Sequence, residues 1–177
     1  DKLEGAVVLV TGASSGIGEA TARALAAQGA KVALVARRVD RIEKLAQEIA
    51  AGGHTALAVE ADVTDQEQAI AAVERTVGDF GRLDIVVNNA GVMLLGPIAG
   101  APTEEWDRMI DVNIKGLLYT THAALPHLFA AKDDSPRGVA DVVNISSVAG
   151  RVASAGAGVY NLTKHGVGAV SEALRQE

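Results

Sequence analysis

A chain of 177 residues, 49% of them hydrophobic, is one ordinary domain with ample material for a core. Its net charge of −6 and its 3% aromatic content speak against a nucleic acid partner, which needs a basic surface and stacking rings. The lack of Cys excludes disulfides, thiolate catalysis and Cys-ligated zinc; no apolar run reaches the ~18 residues of a membrane span, and the opening DKLEG has no signal-sequence pattern, so the expected compartment is the cytoplasm.

Residues 6–10, AVVLV, are a short, continuously apolar, β-branched run, the pattern of a parallel strand buried on both faces. TGASSGIG at 11–18 follows at once, and 19–27 reads as helix with Gly29 as its stop. A glycine-rich turn between strand and helix presents unpaired N–H groups and a partial positive charge where a pyrophosphate can approach the backbone. Residues 31–36, KVALVA, complete a βαβ unit, which lifts the turn from a plain connection to a nucleotide-binding candidate.

At the end of that second strand an acidic residue would hydrogen-bond the ribose hydroxyls of NAD, but Ala36 stands there and Arg37 and Arg38 follow. Forked guanidinium donors suit a 2′-phosphate, which favours NADP over NAD. The plainer alternative is that both arginines open a solvated helix at 39–51.

Residues 55–60 are a third strand and 65–77 a helix capped by Thr64 or Asp65. Asp62 between them is either turn chemistry or an acceptor for an adenine amino group. Residues 83–87 form a fourth strand closed by Asn88, Asn89, Ala90 and Gly91, which either satisfy local backbone groups or frame a cofactor. An apolar loop, 92–100, faces the same side. A long helix runs from an N-cap at Thr103 to about residue 131, with Trp106 in the core; Asn113, beside Asp111 and before Gly116, predicts a distortion or water-binding kink within it. A fifth strand, 139–145, delivers Ser146 and Ser147 to the ligand edge. The four His share no metal-ligand spacing. The fold class is α/β, a Rossmann-like three-layer αβα doubly wound parallel sheet in a single domain, 1–177.

Tyr160 and Lys164 stand one turn apart if helix begins near Tyr160, so an ammonium can lie beside a phenol. A Tyr ionises near pH 10, and bringing it to neutrality takes roughly 4 kcal/mol of phenolate stabilisation. One cation at ~5 Å in a dielectric of ~20 supplies roughly 3 kcal/mol, so Lys164 and a second positive charge suffice. By spacing alone the pair is more often an ordinary amphipathic helix face.

Taken together, TGASSGIG at 11–18, NNAG at 88–91, Asn113, Ser147 and YNLTK at 160–164 resemble, in order and spacing and over essentially the whole chain, a classical short-chain dehydrogenase/reductase. The resemblance implies a catalytic tetrad of Asn113, Ser147, Tyr160 and Lys164, with Ser147 preferred to Ser146 because the family's serine lies thirteen residues before the tyrosine. It implies cofactor contacts at Gly12, Ser14, Ser15, Gly16, Ile17 and Gly18 in the first turn, at Arg37 and Arg38, at Asp62 and Val63, at Asn89, Ala90 and Gly91, and at Tyr160 and Lys164, with Asn88 bracing the region. Tyr160 would give a proton to a carbonyl oxygen as hydride arrives, Ser147 would bond that oxygen, Lys164 would lower the phenol pKa and hold the nicotinamide ribose, and Asn113 would hold a water. Arg37, with Ser15 in place of a basic residue, resembles the NADP-preferring branch, with NAD the less favoured cofactor. VMLLGP, MIDVNIKGLLYTTHAALPHL and SSVAGRV look like the branch containing clavulanate dehydrogenase and related broad-range reductases. The expected activity is NADP(H)-dependent interconversion of a carbonyl and an alcohol; the alternative is a dinucleotide-binding sensor or scaffold, or an inactive fragment, without catalysis.

The resemblance also implies partners: a small-molecule carbonyl or alcohol, and further copies of the chain in a homodimer or homotetramer through the long helices starting near Thr103 and Val159. Met93, Leu94, Val148 and residues 154–157 are candidate pocket residues. The family continues for about another third of this length, through two strands, a lid and a helix, so the fold is expected to stop after strand five and its following helix, leaving that strand an apolar open edge.

Overall fold

In the computed structural model, which describes residues 3–135 and 137–177, five parallel strands lie in the order β3, β2, β1, β4, β5. They are β1 (Val7–Thr11), β2 (Lys31–Ala36), β3 (Thr55–Glu60), β4 (Ile85–Asn88) and β5 (Asp141–Asn144). The helices are α1 (Gly16–Ala26), α2 (Val39–Ala51), α3 (Gln66–Phe80), α4 (Thr103–Ile110), α5 (Gly116–Asp134) and α6 (Gly158–Gln176). Every residue of β1 and β4 is buried, which explains their unbroken apolar runs. Successive side chains point to opposite faces. Val8, Val10, Val32, Leu34 and Val87 therefore pack with Ile42, Leu45 and Ile49 of α2 and with Ala22 and Ala26 of α1. Val7, Leu9, Val35 and Val86 pack on the other face with Val73 of α3 and Leu128 of α5. The result is the expected three-layer, doubly wound α/β sheet, and its strand order reverses between β1 and β4.

The structure moves several predicted boundaries for identifiable reasons. β4 starts at Ile85 rather than residue 83 because Asp84, with no exposed surface, folds its carboxylate onto the backbone: Val7 N–H donates to Asp84 Oδ2 at 2.9 Å, and the Arg82 guanidinium donates to both carboxylate oxygens. Gly16, Ile17 and Gly18 belong to α1 rather than to a loop before it. α3 is capped by Asp65, whose carboxylate accepts from Gln68 N–H at 3.0 Å, and it runs on to Phe80, where Gly81 takes the left-handed conformation that ends it.

The single helix expected from Thr103 is three segments. Its N-cap is Pro102, with no side-chain cap bond, so the Thr103 assignment was one residue late. A π-helical turn, Asp111–Lys115, then separates α4 from α5 at the place where Asn113 predicted a distortion. Trp106 is half-buried. Among the described residues β5 is the last strand and pairs only with β4; Val139 and Val143 are exposed, while Val142 and Ile145 pack inward. Among the described residues no helix is long and apolar enough to cross a membrane.

Candidate functional site

A cavity of about 640 Å³ opens at the carboxyl ends of the strands, where the strand order reverses. Its walls gather Gly12, Ser14, Ser15 and Ile17 from the first turn, Arg37 and Arg38 after β2, Asp62 and Val63 after β3, Asn89, Ala90 and Gly91 after β4, and Tyr160 and Lys164 from α6. Residues spread over 150 positions thus converge because parallel strands all end on one side.

The two glycines outside the lining shape it from behind. A Cβ at Gly18 would collide with Asn89 Nδ2 and the Gly12 carbonyl, so only Gly lets α1 press against the β4 turn. Gly16, at φ 59°, makes the left-handed entry into α1 and faces open space. Ser15 caps α1 with extended backbone and no side-chain bond to the helix, which leaves the helix's leading N–H groups for a ligand.

The NNAG segment is locked to that turn. Asn89 Nδ2 donates to the carbonyls of Thr11 at 3.0 Å and Gly12 at 3.2 Å, while Thr11 Oγ1 accepts from the N–H groups of Asn89 at 3.1 Å and Ala90 at 3.0 Å. Asn89 therefore satisfies local backbone and frames the cavity at once. Thr11 is a structural member of the site that the sequence reading passed over, although it is the first letter of the glycine motif. Asn88 directs its side chain away from the cavity, to its neighbours in the fold. It is buried, and its amide donates to Thr121 Oγ1 and to Asn144 Oδ1, both at 2.9 Å, so it braces β4 against α5 and β5.

On the far side of the cavity Arg38 donates to Ser14 Oγ at 2.8 Å and to Ser15 Oγ at 2.7 Å, tying the end of β2 to the glycine turn. Arg37 lies 3.6 Å from Asp62 Oδ2 and remains largely exposed. Burial alone would raise the Asp62 pKa. The N–H and hydroxyl of Thr64, donating at 3.0 and 2.8 Å, together with Arg37, outweigh that and hold it below the ordinary carboxylate value. Asp62 thus performs turn chemistry while facing the cavity.

At the other end Lys164 is 6% exposed, donates to the Ile145 carbonyl at 2.8 Å and lies 6.0 Å from the centre of the Tyr160 ring. Burial pushes its pKa below the usual lysine value. Ser147 stands at the end of the strand segment, outside the cavity lining. Its Oγ accepts from Ala149 N–H at 3.1 Å, which leaves the hydroxyl proton free to donate elsewhere. Ser146, the less favoured serine, lines the cavity but directs its hydroxyl to the Lys164 carbonyl at 3.3 Å. Asn113 is 2% exposed in the π turn. Its Oδ1 accepts from Val92 N–H at 2.8 Å, and its amide donates to the Val92 carbonyl at 2.8 Å and to Thr163 Oγ1 at 3.1 Å. Of the expected pocket residues, Met93 lines the cavity; Leu94, Val148 and residues 154–157 do not. Arg108 and Val112 of the long helix line it without having been singled out in the sequence.

A family profile described as short chain dehydrogenase matches residues 6–177. An uncharacterized oxidoreductase of Staphylococcus saprophyticus is 44% identical over 172 residues, which is 97% of this chain and 66% of the relative, so the chain spans just under two thirds of that relative's length. Among solved structures, a 3-ketoacyl-(acyl-carrier-protein) reductase from Brucella melitensis complexed with NADH superposes with a TM-score of 0.89 at 37% identity, over 97% of this chain and 69% of that one. A mutant short-chain dehydrogenase/reductase of Serratia marcescens superposes with a TM-score of 0.85 at 36% identity, over 94% and 66%. With sequence profile, sheet order and cavity in agreement, this chain belongs to the classical short-chain dehydrogenase/reductase family.

Proposed function

We propose that the protein is an NADP(H)-dependent oxidoreductase of the cytoplasm that interconverts a small carbonyl compound and its alcohol. The observation that carries the reading is the pairing of Tyr160 with a buried Lys164 in one cavity with an uncapped helix N-terminus and two arginines. The donor set fits a dinucleotide: free N–H groups at α1 suit a pyrophosphate, and Arg37 and Arg38 suit a 2′-phosphate. A nicotinamide dinucleotide held there would supply or accept the hydride.

The chain's own residues handle the proton. The Tyr160 hydroxyl gives its proton to the substrate oxygen in reduction and takes one back in oxidation. The free hydroxyl proton of Ser147 donates to the same oxygen, and Lys164 keeps the phenolate paired with a cation. Asn113 spends its amide hydrogens on Val92 and Thr163, so water binding falls to carbonyls that the π turn releases from regular helix pairing. Exposed Leu118 and Phe129 on α5 and Leu162 on α6 support assembly into a homodimer or homotetramer through these helices.

Following NADPH absorbance in the full-length protein with a panel of aldehydes, ketones and keto-esters tests the reading. Turnover that Tyr160→Phe abolishes is expected. Equal turnover in the variant would refute the mechanism, and tight NADPH binding without any turnover would favour a sensor or scaffold.

A further inference from the structure

Asn161 sits between Tyr160 and Lys164 in sequence, yet its side-chain hydrogen bonds all go to a segment outside its own helix. It is 4% exposed, and every polar hydrogen on its amide is used. Nδ2 donates to the carbonyls of Ala149 and Val152, both at 2.8 Å, and Oδ1 accepts from Ser154 N–H at 3.2 Å. Among the described residues those three backbone groups have no other hydrogen-bond partner. One side chain therefore supplies the pairing that a strand or helix would supply elsewhere. Each lost bond would leave a polar group unmet at the edge of a packed interface.

The segment so held, 149–154, overlaps the 3₁₀ turn Val148–Gly150, whose N-cap is Ser147. That turn sits flush on α6: a Cβ at Gly150 would stand 2.6 Å from the Lys164 carbonyl. The first turn of α6 has no side-chain cap at Ala157, so nothing in the cap favours Asn at position 161. Asn is also a poor helix former there. The position makes sense as a clamp rather than as part of the helix.

We infer that Asn161 is a positioning residue, which fixes the backbone of residues 149–154 onto α6 and so sets the placement of Ser147 relative to Tyr160. This rests on the proposed carbonyl chemistry for its catalytic consequence, but the clamp itself does not. Tyr160 and Lys164 share one rigid helix, whereas Ser147 lies on a different element, and the chain between them contains no regular structure longer than three residues. Catalysis needs both hydroxyls on one substrate oxygen, and errors of about 1 Å in such geometry cost up to about 100-fold in rate.

The test uses the full-length protein with Asn161→Ala and, as the milder change that puts a shorter polar group, one hydroxyl, in place of the amide, Asn161→Ser. Three quantities are read: kcat and KM for a reducible carbonyl, Kd for NADPH, and hydrogen exchange of the peptide spanning residues 148–157. Asn161→Ala is expected to lower kcat roughly 10- to 100-fold. NADPH affinity should change by less than about threefold, because none of the three bonds reaches the glycine turn. Exchange should quicken in the 148–157 peptide alone. Asn161→Ser should fall between, and it decides the matter by the same readouts if the alanine variant does not fold. An unchanged kcat, or a loss of kcat matched by a loss of NADPH binding, overturns the inference. If the wild type shows no turnover, the proposed function fails and exchange alone decides: unchanged protection at 148–157 then overturns the clamp, and faster exchange confined to it upholds it.

Discussion

Lys164 donates its ammonium to the carbonyl oxygen of Ile145 at 2.8 Å, tethering the middle of α6 to the residue just beyond β5. The tether holds a cation that is 6% exposed and has no carboxylate among its bonding partners in the described structure. Burial lowers its native pKa below the ordinary 10.5. The unfolded chain then binds that proton more tightly than the folded one, so the charged lysine weakens the fold at every pH below its native pKa. The penalty fades as pH rises through the native value towards 10.5.

Lys164→Met should therefore stabilise the protein at pH 7, by an amount of order 1 kcal/mol, while abolishing turnover. Urea unfolding of both proteins between pH 7 and 10.5 checks the sign: the gap should close as pH rises. A variant less stable than wild type at pH 7 would show that the bond to Ile145 outweighs desolvation.

Arg37 and Arg38 are held differently, and the difference predicts their variants. Arg38 is bonded to two serine hydroxyls of the glycine turn, whereas Arg37 is an exposed partner of Asp62 at 3.6 Å. Arg37→Ala should weaken NADPH roughly 10- to 100-fold, the worth of one charge-assisted contact, and leave NADH nearly unchanged. Arg38→Ala should weaken both, because it also releases Ser14 and Ser15. Calorimetric titration with each dinucleotide distinguishes the two; equal losses for Arg37→Ala would remove its phosphate role.

The glycines of the first turn should not be equivalent. Gly16 needs only its φ of 59°, for which alanine pays about 1–2 kcal/mol. Gly18 has Asn89 and the Gly12 carbonyl where a methyl group would go, so alanine must push α1 off the β4 turn. Denaturant unfolding should rank Gly18→Ala as the costlier change, and the order should hold for NADPH affinity.

Asp84 carries no surface, and its carboxylate answers both Val7 N–H and the Arg82 guanidinium. Asp84→Ala leaves the buried Val7 N–H unmet and takes from Arg82 its carboxylate partner, leaving the guanidinium only the carbonyls of Ala131 and Asp134, for a loss of about 3 kcal/mol. Because Asp84 lies at the opposite end of β4 from the cavity, the folded fraction should still bind dinucleotide at wild-type affinity. Thermal melting alongside NADPH titration reads both.

What was legible in the sequence was whatever local chemistry dictates. The bounds of β2, α2 and β3 are written in apolar runs and charged faces, and the structure keeps them unchanged. Asn113 betrayed the π turn because a poor helix former beside another, before a glycine, has no reason to be in a regular helix. Asp84 was hidden because its partner is 77 residues away and nothing in the tetrad LDIV distinguishes a buried carboxylate from a turn. Asn161 was hidden for the same reason, since a polar residue on an amphipathic helix reads as solvent-facing until the loop that covers it is seen. The double duty of Asn89 needed the strands to be laid side by side: only then does it reach the carbonyls of Thr11 and Gly12.

The π turn at Asp111–Lys115 has one more implication. Closing hydrogen bonds five residues apart instead of four takes up about one extra residue. At 3.6 residues per turn this rotates all that follows by about 100°. α4 can then address α6 while α5, on the same axis, addresses α3 and β4. A straight rod could offer only one continuous stripe. Removing a single residue from this turn would produce a more regular helix and a worse protein, because the two halves would compete for one direction.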